Sequence, residues 1–465
     1  MEKTKKMKSI KKSVFQIISF GFVARIFGII NGFLLIRYIS RNYNLDIYSY
    51  GTSPIKFMPM IVDGLILALI LLYQDIEREE GIEGRFDFTN DIVNLFIIIS
   101  MGIIVMAYVF APKILKLSGN NLSGEELSQG IGIFRIGMFM IVFHLIRGVG
   151  AGYLQGDNRF LAGAKAGVFY GVIHSIYLLC LGSRFGLTGL ILTDLLAVAG
   201  QAYILIKPLF GDGYTYRLGI NLRNRRYLKL VGFLIPILVY IFIGYFNTNM
   251  VNGFIWNEIG DKAFSLKYGK KIIDFVYGLS LLAIGMVFFP VLAWDYNTGD
   301  IKELRRDIES GIGVLSKVGI VLSLVLVIFG TPLVKILYYG KGFNVEEISL
   351  IVSDLRFYTL GFIGMGLGFF TIRMYYGVRD FLTPIILGIL SLGMSFVLTR
   401  YLGNSMGSSG VILSTSINSI TMPILGIYIL DRRLDIISPK TFEILRRIVL
   451  GTVGIGIVFI FMFFK

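Results

Sequence analysis

Long apolar stretches, separated by short polar connections, recur along the whole chain. Each stretch is about 20 residues long, which is enough for a helix to cross a hydrocarbon core of about 30 Å. The pattern predicts about thirteen membrane-spanning helices, over residues 14–36, 53–73, 92–111, 131–153, 162–182, 186–206, 231–255, 268–293, 313–333, 348–371, 383–402, 409–430 and 446–464. We therefore expect an all-α, polytopic membrane protein.

The composition agrees with this expectation. Of the 465 residues, 55% are hydrophobic and 16% are charged, whereas about a quarter of the residues in a soluble domain are charged. A single soluble domain is therefore excluded. Cys180, the one cysteine, lies inside an apolar stretch, so neither a disulfide nor a cysteine metal site can form within one chain.

The charge pattern predicts how the helices are oriented. Lysine and arginine are concentrated in the N-terminal tail and in the even-numbered connections, which by the positive-inside rule face the cytoplasm. This placement accounts for the net charge of +15 without a nucleic-acid partner. The basic, amphipathic segment 300–308 is expected to contact anionic membrane lipids. The first stretch contains Arg25 and lacks a small-residue cleavage pattern, so we interpret it as a retained helix.

Two short segments resemble each other at corresponding points of the two halves. Residues 152–161 follow the fourth stretch and residues 374–382 follow the tenth, and both contain a glycine, an Arg/Asp pair and Phe-Leu after an aromatic helix end. Six stretches separate them, as expected for two pseudo-symmetric six-helix lobes of a transporter. The alternative is a chance likeness of two short turns. The first interpretation predicts an N-lobe over 1–228, a C-lobe over 229–431 and one extra C-terminal transmembrane helix within 432–465.

Several ionisable side chains interrupt the apolar stretches. An isolated charge at a helix centre costs about 2.5–3.5 kcal/mol, so such groups persist where they face a hydrated cavity or a partner. Cations outnumber carboxylates in stretches one, two, four and eight, which favours an anionic ligand such as a phosphate. The candidate binding residues from this pattern are Arg25, Lys56, Asp63, Lys270, Lys271 and Asp274.

The same charges also have structural interpretations. Lys270 and Lys271 precede Asp274 by four and three positions, so either lysine can pair with it on the helix surface. Arg135 and Arg147 lie near the ends of the fourth predicted stretch, from which long side chains extend to the membrane surface.

No residue pattern indicates an enzyme or a cofactor. The sequence has no P-loop, no Ser/His/Asp set and no metal-ligand spacing, so we expect neither catalysis nor a bound cofactor or metal. His144 has no second histidine on its own stretch and is interpreted as a packed core residue. Gly364, Gly366 and Gly368 mimic a dinucleotide-binding fingerprint, but they lie in an apolar stretch with no preceding strand, which favours helix packing.

Two segments resemble motifs of the MurJ lipid II flippase family. Residues 337–343 are similar to the Tyr-Gly-Lys-Phe segment that follows its ninth span. Residues 375–384 are similar to its Phe-Tyr-x-x-x-Asp-x-x-Thr-Pro turn, which is the more specific motif. Shorter matches lie at residues 24–28, Asp46, residues 158–160 and residues 268–275. The resemblance runs from about residue 14 to residue 430.

The resemblance implies two six-helix lobes of the multidrug/oligosaccharidyl-lipid/polysaccharide superfamily, in a bacterial plasma membrane. It also implies a flippase that moves lipid II, the undecaprenyl-pyrophosphate-linked peptidoglycan precursor, to the outer leaflet by alternating access through a cationic cavity between the lobes. By position, Arg25 and Lys271 match arginines of the family. Asp46 matches an acidic residue, Asp63 a glutamate, and Asn31 stands where the family has a second arginine. The expected substrate site combines these five with Lys56, Lys270 and Asp274.

The chain also departs from the family pattern. Lys271 keeps the charge of an arginine but cannot form its bidentate hydrogen bonds. The family's arginine of the second span is missing here, and Lys56 is the cation nearest to its position. No carboxylate lies between residues 231 and 255, which argues against the sodium site of some members, so the coupling ion stays unknown. The family usually has two spans after the twelfth, and this chain has one. The alternatives are a flippase for another lipid-linked polysaccharide, a drug exporter, which a basic cavity disfavours, and a non-transporting cell-wall scaffold.

Overall fold

The described part of the chain is almost entirely helical. The computed structural model describes residues 2–39, 44–117, 124–221, 223–255, 258, 263–339, 343–434, 443 and 446. Its helices are α1 (Glu2–Tyr38), α2 (Leu45–Thr52), α3 (Met58–Leu117), α4 (Gly124–Met138), α5 (Met140–Gly156), α6 (Leu161–Cys180), α7 (Gly182–Gly211), α8 (Arg226–Phe254), α9 (Ala263–Leu279), α10 (Leu281–Asn297), α11 (Ile301–Tyr338), α12 (Val345–Gly377), α13 (Leu382–Met406) and α14 (Ser408–Leu434).

Eleven helical stretches within the described residues are long and apolar enough to cross a membrane. They match the first twelve predicted spans, whose ends lie at most two residues outside these stretches. The stretch Leu45–Lys116 holds both the second and the third span. Gly81 interrupts α3 between these two spans with φ 72° and ψ −164°, a conformation that a residue with a Cβ rarely adopts. The all-helical membrane fold is therefore confirmed.

Some predictions fall on residues that the structure does not describe. Of the thirteenth predicted span, 446–464, only residue 446 is among the described ones. The side chains of the N-terminal lysines and residues 340–342 of the Tyr-Gly-Lys segment also lie outside the described set.

The second predicted span begins irregularly, as its prolines indicate. α2 ends at Thr52, and Pro54 lies at the start of a 3₁₀ turn over Ser53–Phe57, where its missing N–H interrupts no helical hydrogen bond. α3 then begins at Met58. This part of the chain is therefore a short helix, a tight turn and a long helix, rather than one continuous rod.

The chain divides into two compact units, Met1–Ile235 and Pro236–Lys465. In the first unit, α5 packs against α3 and α7, and α6 packs against α1 and α7. α2 packs against α4, and the buried side chains there include Ile47, Tyr50 and Phe134. The predicted lobe boundaries stay predictions.

In the second unit, α12 is the central helix. It begins with a reciprocal capping box between Asn344 and Glu347, which satisfies backbone N–H groups that no helical carbonyl reaches. It packs against α9, α10, α11 and α14, and α13 packs against α14. α12 and α14 approach closely at Gly364, where a Cβ atom would lie 2.4 Å from the Ser419 carbonyl oxygen. Gly364 therefore serves helix packing, as the sequence interpretation predicts.

Candidate functional site

Two of the predicted site residues lie on α1. Arg25 is half-buried, and it interacts with other residues of the chain. Asn31 lies where α1 meets α6: its Nδ2 donates to the Gly171 carbonyl oxygen at 2.9 Å, and its Oδ1 accepts from Ser175 Oγ at 2.6 Å. At the position where the resemblance predicts an arginine, this chain therefore has a side chain that links two helices.

Two more predicted residues lie on α2 and on the turn that follows it. Asp46 is exposed in the first turn of α2, where its backbone N–H donates to Asn44 Oδ1 at 2.9 Å. Lys56 is exposed, and its Nζ donates to Ser49 Oγ at 3.0 Å and to the Ser49 carbonyl oxygen at 3.3 Å. Lys56 forms no ion pair within the described residues, so no carboxylate there compensates its charge.

Asp63 on α3 interacts electrostatically with Arg147 on α5. The two helices pack closely beside this pair, since a Cβ on Gly148 would lie 3.1 Å from side-chain atoms of Val62 and Leu65. Arg147 is half-buried. It therefore adds a cation of the fourth predicted span to the surroundings of Asp63.

The two neighbouring lysines on α9 have different surroundings. Lys270 Nζ lies 2.7 Å from Asp274 Oδ2, one helical turn away, so this ion pair predicted from the spacing is confirmed. Lys271 is exposed and lies with its Nζ 5.1 Å from the centre of the Tyr268 ring. The charge of Lys270 is compensated by Asp274, whereas Lys271 contacts an aromatic ring.

The structure adds a cation that the sequence analysis missed. Arg373 on α12 lies with its Cζ 3.5 Å from the centre of the Phe369 ring and interacts electrostatically with the hydroxyl groups of Tyr240 and Tyr277, on α8 and α9. The predicted tenth span ended at residue 371, but α12 continues to Gly377. Extending the span by two residues would have placed Arg373 among the membrane charges.

Asp194 on α7 has three hydrogen-bond partners on other helices. His174 Nε2 lies 2.6 Å from its Oδ1, Tyr170 Oη donates to the same oxygen at 2.7 Å, and Tyr48 Oη donates to Oδ2. Asp194 lies inside the predicted stretch 186–206, but the sequence indicates no partner for it. All three partners lie on helices other than α7, so spacing along one helix could not identify them.

Asp354 and Arg356 on α12 also have their partners on other helices. Asp354 is fully buried, and its carboxylate accepts from Ser265 Oγ at 2.6 Å and Ser408 Oγ at 3.2 Å. Arg356 donates to Thr331 Oγ1 at 3.2 Å. These contacts join α9, α11, α12 and α14, and they use hydroxyl groups rather than opposite charges.

The helix packing defines a class of fold, since it is similar to that of solved MATE and MOP superfamily transporters. A MOP superfamily transporter from Pyrococcus furiosus is 15% identical, with a TM-score of 0.75 over 92% of this chain and 96% of that chain. A MATE structure in complex with MaL6 is 16% identical, with a TM-score of 0.76 and the same coverage. At these identities the likeness shows the fold alone.

The sequence comparison is more specific. The family model described as "Lipid II flippase MurJ" matches residues 42–465, and the chain belongs to this family. The probable lipid II flippase MurJ of Borreliella burgdorferi is 21% identical over 89% of this chain and 81% of that protein. The lipid II flippase MurJ of Thermosipho africanus is also 21% identical, over 91% of this chain and 84% of that protein. The resemblance is confirmed: the chain is a multi-span membrane transporter, not an enzyme, and its family acts on a lipid-linked substrate.

Proposed function

We propose that the chain moves lipid II from the cytoplasmic to the outer leaflet of the bacterial plasma membrane. It exposes one set of cationic side chains to the two sides of the membrane in turn, while the polyprenyl tail of the substrate stays in the bilayer. The N-terminus faces the cytoplasm, in keeping with the lysine and arginine pattern. The observation that carries the proposal concerns Lys56 and Lys271, which are both exposed and both held by neutral groups.

The diphosphate is the charged group of the substrate that has to pass the membrane. It cannot cross hydrocarbon unaided, because removing a charged group from water is very costly unless a partner compensates the charge. Lysine provides that compensation through charge-assisted hydrogen bonds to phosphate oxygens. Lys56 and Lys271 can turn toward an anion by giving up only a serine or a ring contact. Lys270 would first have to break its ion pair with Asp274.

Transport also requires that the substrate be released. A ligand shifts a conformational equilibrium only through its different affinity for the two states, so the cations must bind the diphosphate less tightly on the outer side. A lysine suits this cycle, because it binds a phosphate as a point charge rather than through the bidentate hydrogen bonds of arginine.

The test replaces the resident lipid II flippase of a bacterium with this chain and measures the lipid II accessible at the outer leaflet. We expect the wild-type chain to restore accessibility and Arg25→Ala to abolish it. Lys271→Ala is expected to lower the rate about ten-fold or more, because a hydrogen bond to a charged group is worth about 1.5–3 kcal/mol. Lys271→Arg keeps the charge and is expected to retain most of the activity.

Lys270→Ala is the matched control, since it removes the same charge one residue away, where Asp274 already compensates it. We expect it to remain near wild type. If the wild-type chain exposes no lipid II, the proposal is wrong, and purified protein in liposomes then separates the alternatives. Movement of another labelled lipid-linked glycan would indicate a polysaccharide flippase, and no movement of any such lipid would indicate a scaffold.

A further inference from the structure

A buried carboxylate in the first unit has close hydrogen-bond partners that the proposed function does not use. The side chains of His174 on α6 and Asp194 on α7 are only 10% and 13% exposed. His174 Nε2 lies 2.6 Å from Asp194 Oδ1, and two tyrosine hydroxyls, from Tyr48 and Tyr170, donate to the same carboxylate. Three polar groups of α2 and α6 thus converge on one acidic group of α7.

The contacts of His174 determine how many protons the pair holds. Its Nδ1 lies 3.0 Å from the Tyr170 carbonyl oxygen, which can only accept, so Nδ1 carries a hydrogen. A proton also lies between Nε2 and Asp194 Oδ1, because two lone pairs at 2.6 Å would repel each other. The pair is either imidazolium with carboxylate or imidazole with carboxylic acid. Both forms hold one proton more than neutral imidazole with an ionised carboxylate.

We propose that the His174–Asp194 pair binds one exchangeable proton and that this proton is the coupling ion of transport. The second part rests on the proposed function. Release of the proton to water leaves a neutral imidazole and a carboxylate, so the pair changes from net zero to one negative charge. In a site this buried, that charge requires a nearby cation.

Arg147 on α5 is the cation that can respond to this change. It interacts electrostatically with Tyr170, which contacts the pair, and with Asp63, a predicted substrate-site residue. A deprotonated pair attracts Arg147 and weakens its interaction with Asp63, and a protonated pair restores that interaction. One proton thereby changes the charge balance around the candidate substrate site.

Arg135, a second arginine of the neighbouring helices, already has a partner of its own. Arg135 on α4 stacks over the Tyr108 ring, with its Cζ 4.2 Å from the ring centre. The other titratable side chains on α1, α2, α4, α5, α6, α7 and the turn after α2, among the residues whose side chains are described, are Arg25, Arg37, Tyr38, Asp46, Tyr48, Tyr50, Lys56, Glu125, Glu126, Arg135, His144, Arg147, Tyr153, Lys165, Tyr170, Tyr177, Cys180, Arg184, Tyr203 and Lys207.

Imidazole NMR of the purified full-length protein tests the proton site without any substrate. The chain has two histidines, so His144→Gln assigns both signals. It also serves as the matched control, because His144 is buried in the same unit and its Nδ1 has no hydrogen-bond partner among the described residues. We expect the His174 signal to titrate with uptake of one proton, and Asp194→Asn to remove that titration. Tyr48→Phe removes one donor to the carboxylate without changing charge, and it is expected to move the titration to higher pH.

A His174 signal that does not titrate, or that titrates identically in Asp194→Asn, overturns the proton site.

The coupling is tested in liposomes containing lipid II, with an imposed pH gradient and the membrane potential held at zero. We expect the gradient to change the flipping rate of wild type and His144→Gln several-fold, and to leave the rates of Asp194→Asn and His174→Gln unchanged. If the flipping rate of the wild type does not change with the pH gradient, the proton is not the coupling ion. A wild-type protein that titrates but moves no lipid II would refute the proposed function and leave the proton site standing.

Discussion

Asn158 and Arg379 adopt the same left-handed backbone conformation, with φ of 58° and 62°, at corresponding points of the two turns whose sequences resemble each other. In the first turn, the Asn158 N–H donates to the Gln155 carbonyl oxygen at 3.0 Å, and the Arg159 N–H donates to that of Leu154 at 2.8 Å. These two bonds form a Schellman motif, which closes a helix around one left-handed residue.

The second turn repeats this arrangement. The Arg379 N–H donates to the Tyr376 carbonyl oxygen at 3.0 Å, and the Asp380 N–H donates to that of Tyr375 at 2.9 Å. The sequence likeness of the turns therefore extends to their backbone hydrogen bonds, which a chance likeness does not predict. The pseudo-symmetry of whole lobes stays a prediction.

Both left-handed positions are expected to respond alike to substitution. Valine at either position should lower the free energy of unfolding by about 1–2 kcal/mol, because a β-branched side chain is strained at positive φ. Glycine adopts this conformation without strain. Thermal unfolding in detergent compares Asn158→Val and Arg379→Val with the glycine variants of the same positions. Equal stability of the valine and glycine variants would contradict the expectation.

Arg85 is a fully buried cation of the first unit. It is 1% exposed, and its guanidinium contacts Glu77 at 2.6 Å, Asp157 at 2.9 Å and the Tyr153 carbonyl oxygen at 3.2 Å. We expect Arg85→Leu to lower the free energy of unfolding by about 3–5 kcal/mol, because two carboxylates lose their counter-charge. Chemical unfolding in detergent measures this loss.

An exposed ion pair on the same unit provides the control for Arg85. Lys229 Nζ lies 3.4 Å from Glu79 Oε1, and both side chains are half exposed. We expect Lys229→Ala to change the stability by less than about 1 kcal/mol, because water screens such pairs. A comparable loss in both variants would show that burial does not decide the effect.

Asp354 is expected to stabilise the contact of α9, α12 and α14. Its carboxylate accepts from Ser265, Ser408 and Ser409, and the two latter residues form the first turn of α14, where the helix dipole favours a negative charge. Asp354→Leu should cost about 1–3 kcal/mol for each hydroxyl left without an acceptor, and Asp354→Asn less. Ser405→Ala is the control, because Ser405 is exposed and its hydroxyl donates to carbonyl oxygens of its own helix. Unfolding of the three variants at equal denaturant concentrations would argue against this role.

Asn94 is expected to hold the connection after α7 in place. Its Nδ2 donates to the carbonyl oxygens of Arg217 at 2.9 Å and Gly219 at 3.0 Å, and its Oδ1 accepts from Tyr216. Asn94→Leu removes all three bonds, so we expect faster trypsin cleavage after Arg217 and faster amide exchange in this segment. Lys113→Leu, on the same helix but away from the connection, should leave both rates unchanged. An unaltered cleavage rate in Asn94→Leu would refute the assignment.

The same connection predicts a pH dependence. Burial raises the pKa of Tyr214 to about 12, above the value of about 10 for an unfolded chain. Tyr214 therefore keeps its proton and its 2.9 Å bond to Asn90 Oδ1 where the unfolded chain ionises. This contribution to stability is full below pH 10 and is lost as the pH rises to about 12. We expect the wild type to lose more stability over this interval than Tyr214→Phe in denaturant unfolding, and equal losses would contradict it.

Local spacing predicted part of the candidate site and left the rest open. The four-residue interval between Lys270 and Asp274 predicted an ion pair that forms, because such residues are neighbours on one helix. The same reasoning allowed Lys271 to pair with Asp274, but Lys271 lies over the Tyr268 ring instead. The sequence pattern did not identify Arg373 as a charge of the tenth span, because the apolar pattern ends before the helix does.

The sequence by itself determined the fold class and the family. In a membrane each helix must satisfy its own backbone hydrogen bonds, so every crossing requires about 20 consecutive apolar residues that can be counted along the chain. Only the tertiary structure decided which polar groups meet, such as His174 with Asp194 and Asp354 with Ser265. These contacts join separate helices, and the packing of side-chain ridges sets how each helix is rotated toward its neighbour, which no interval within one helix specifies.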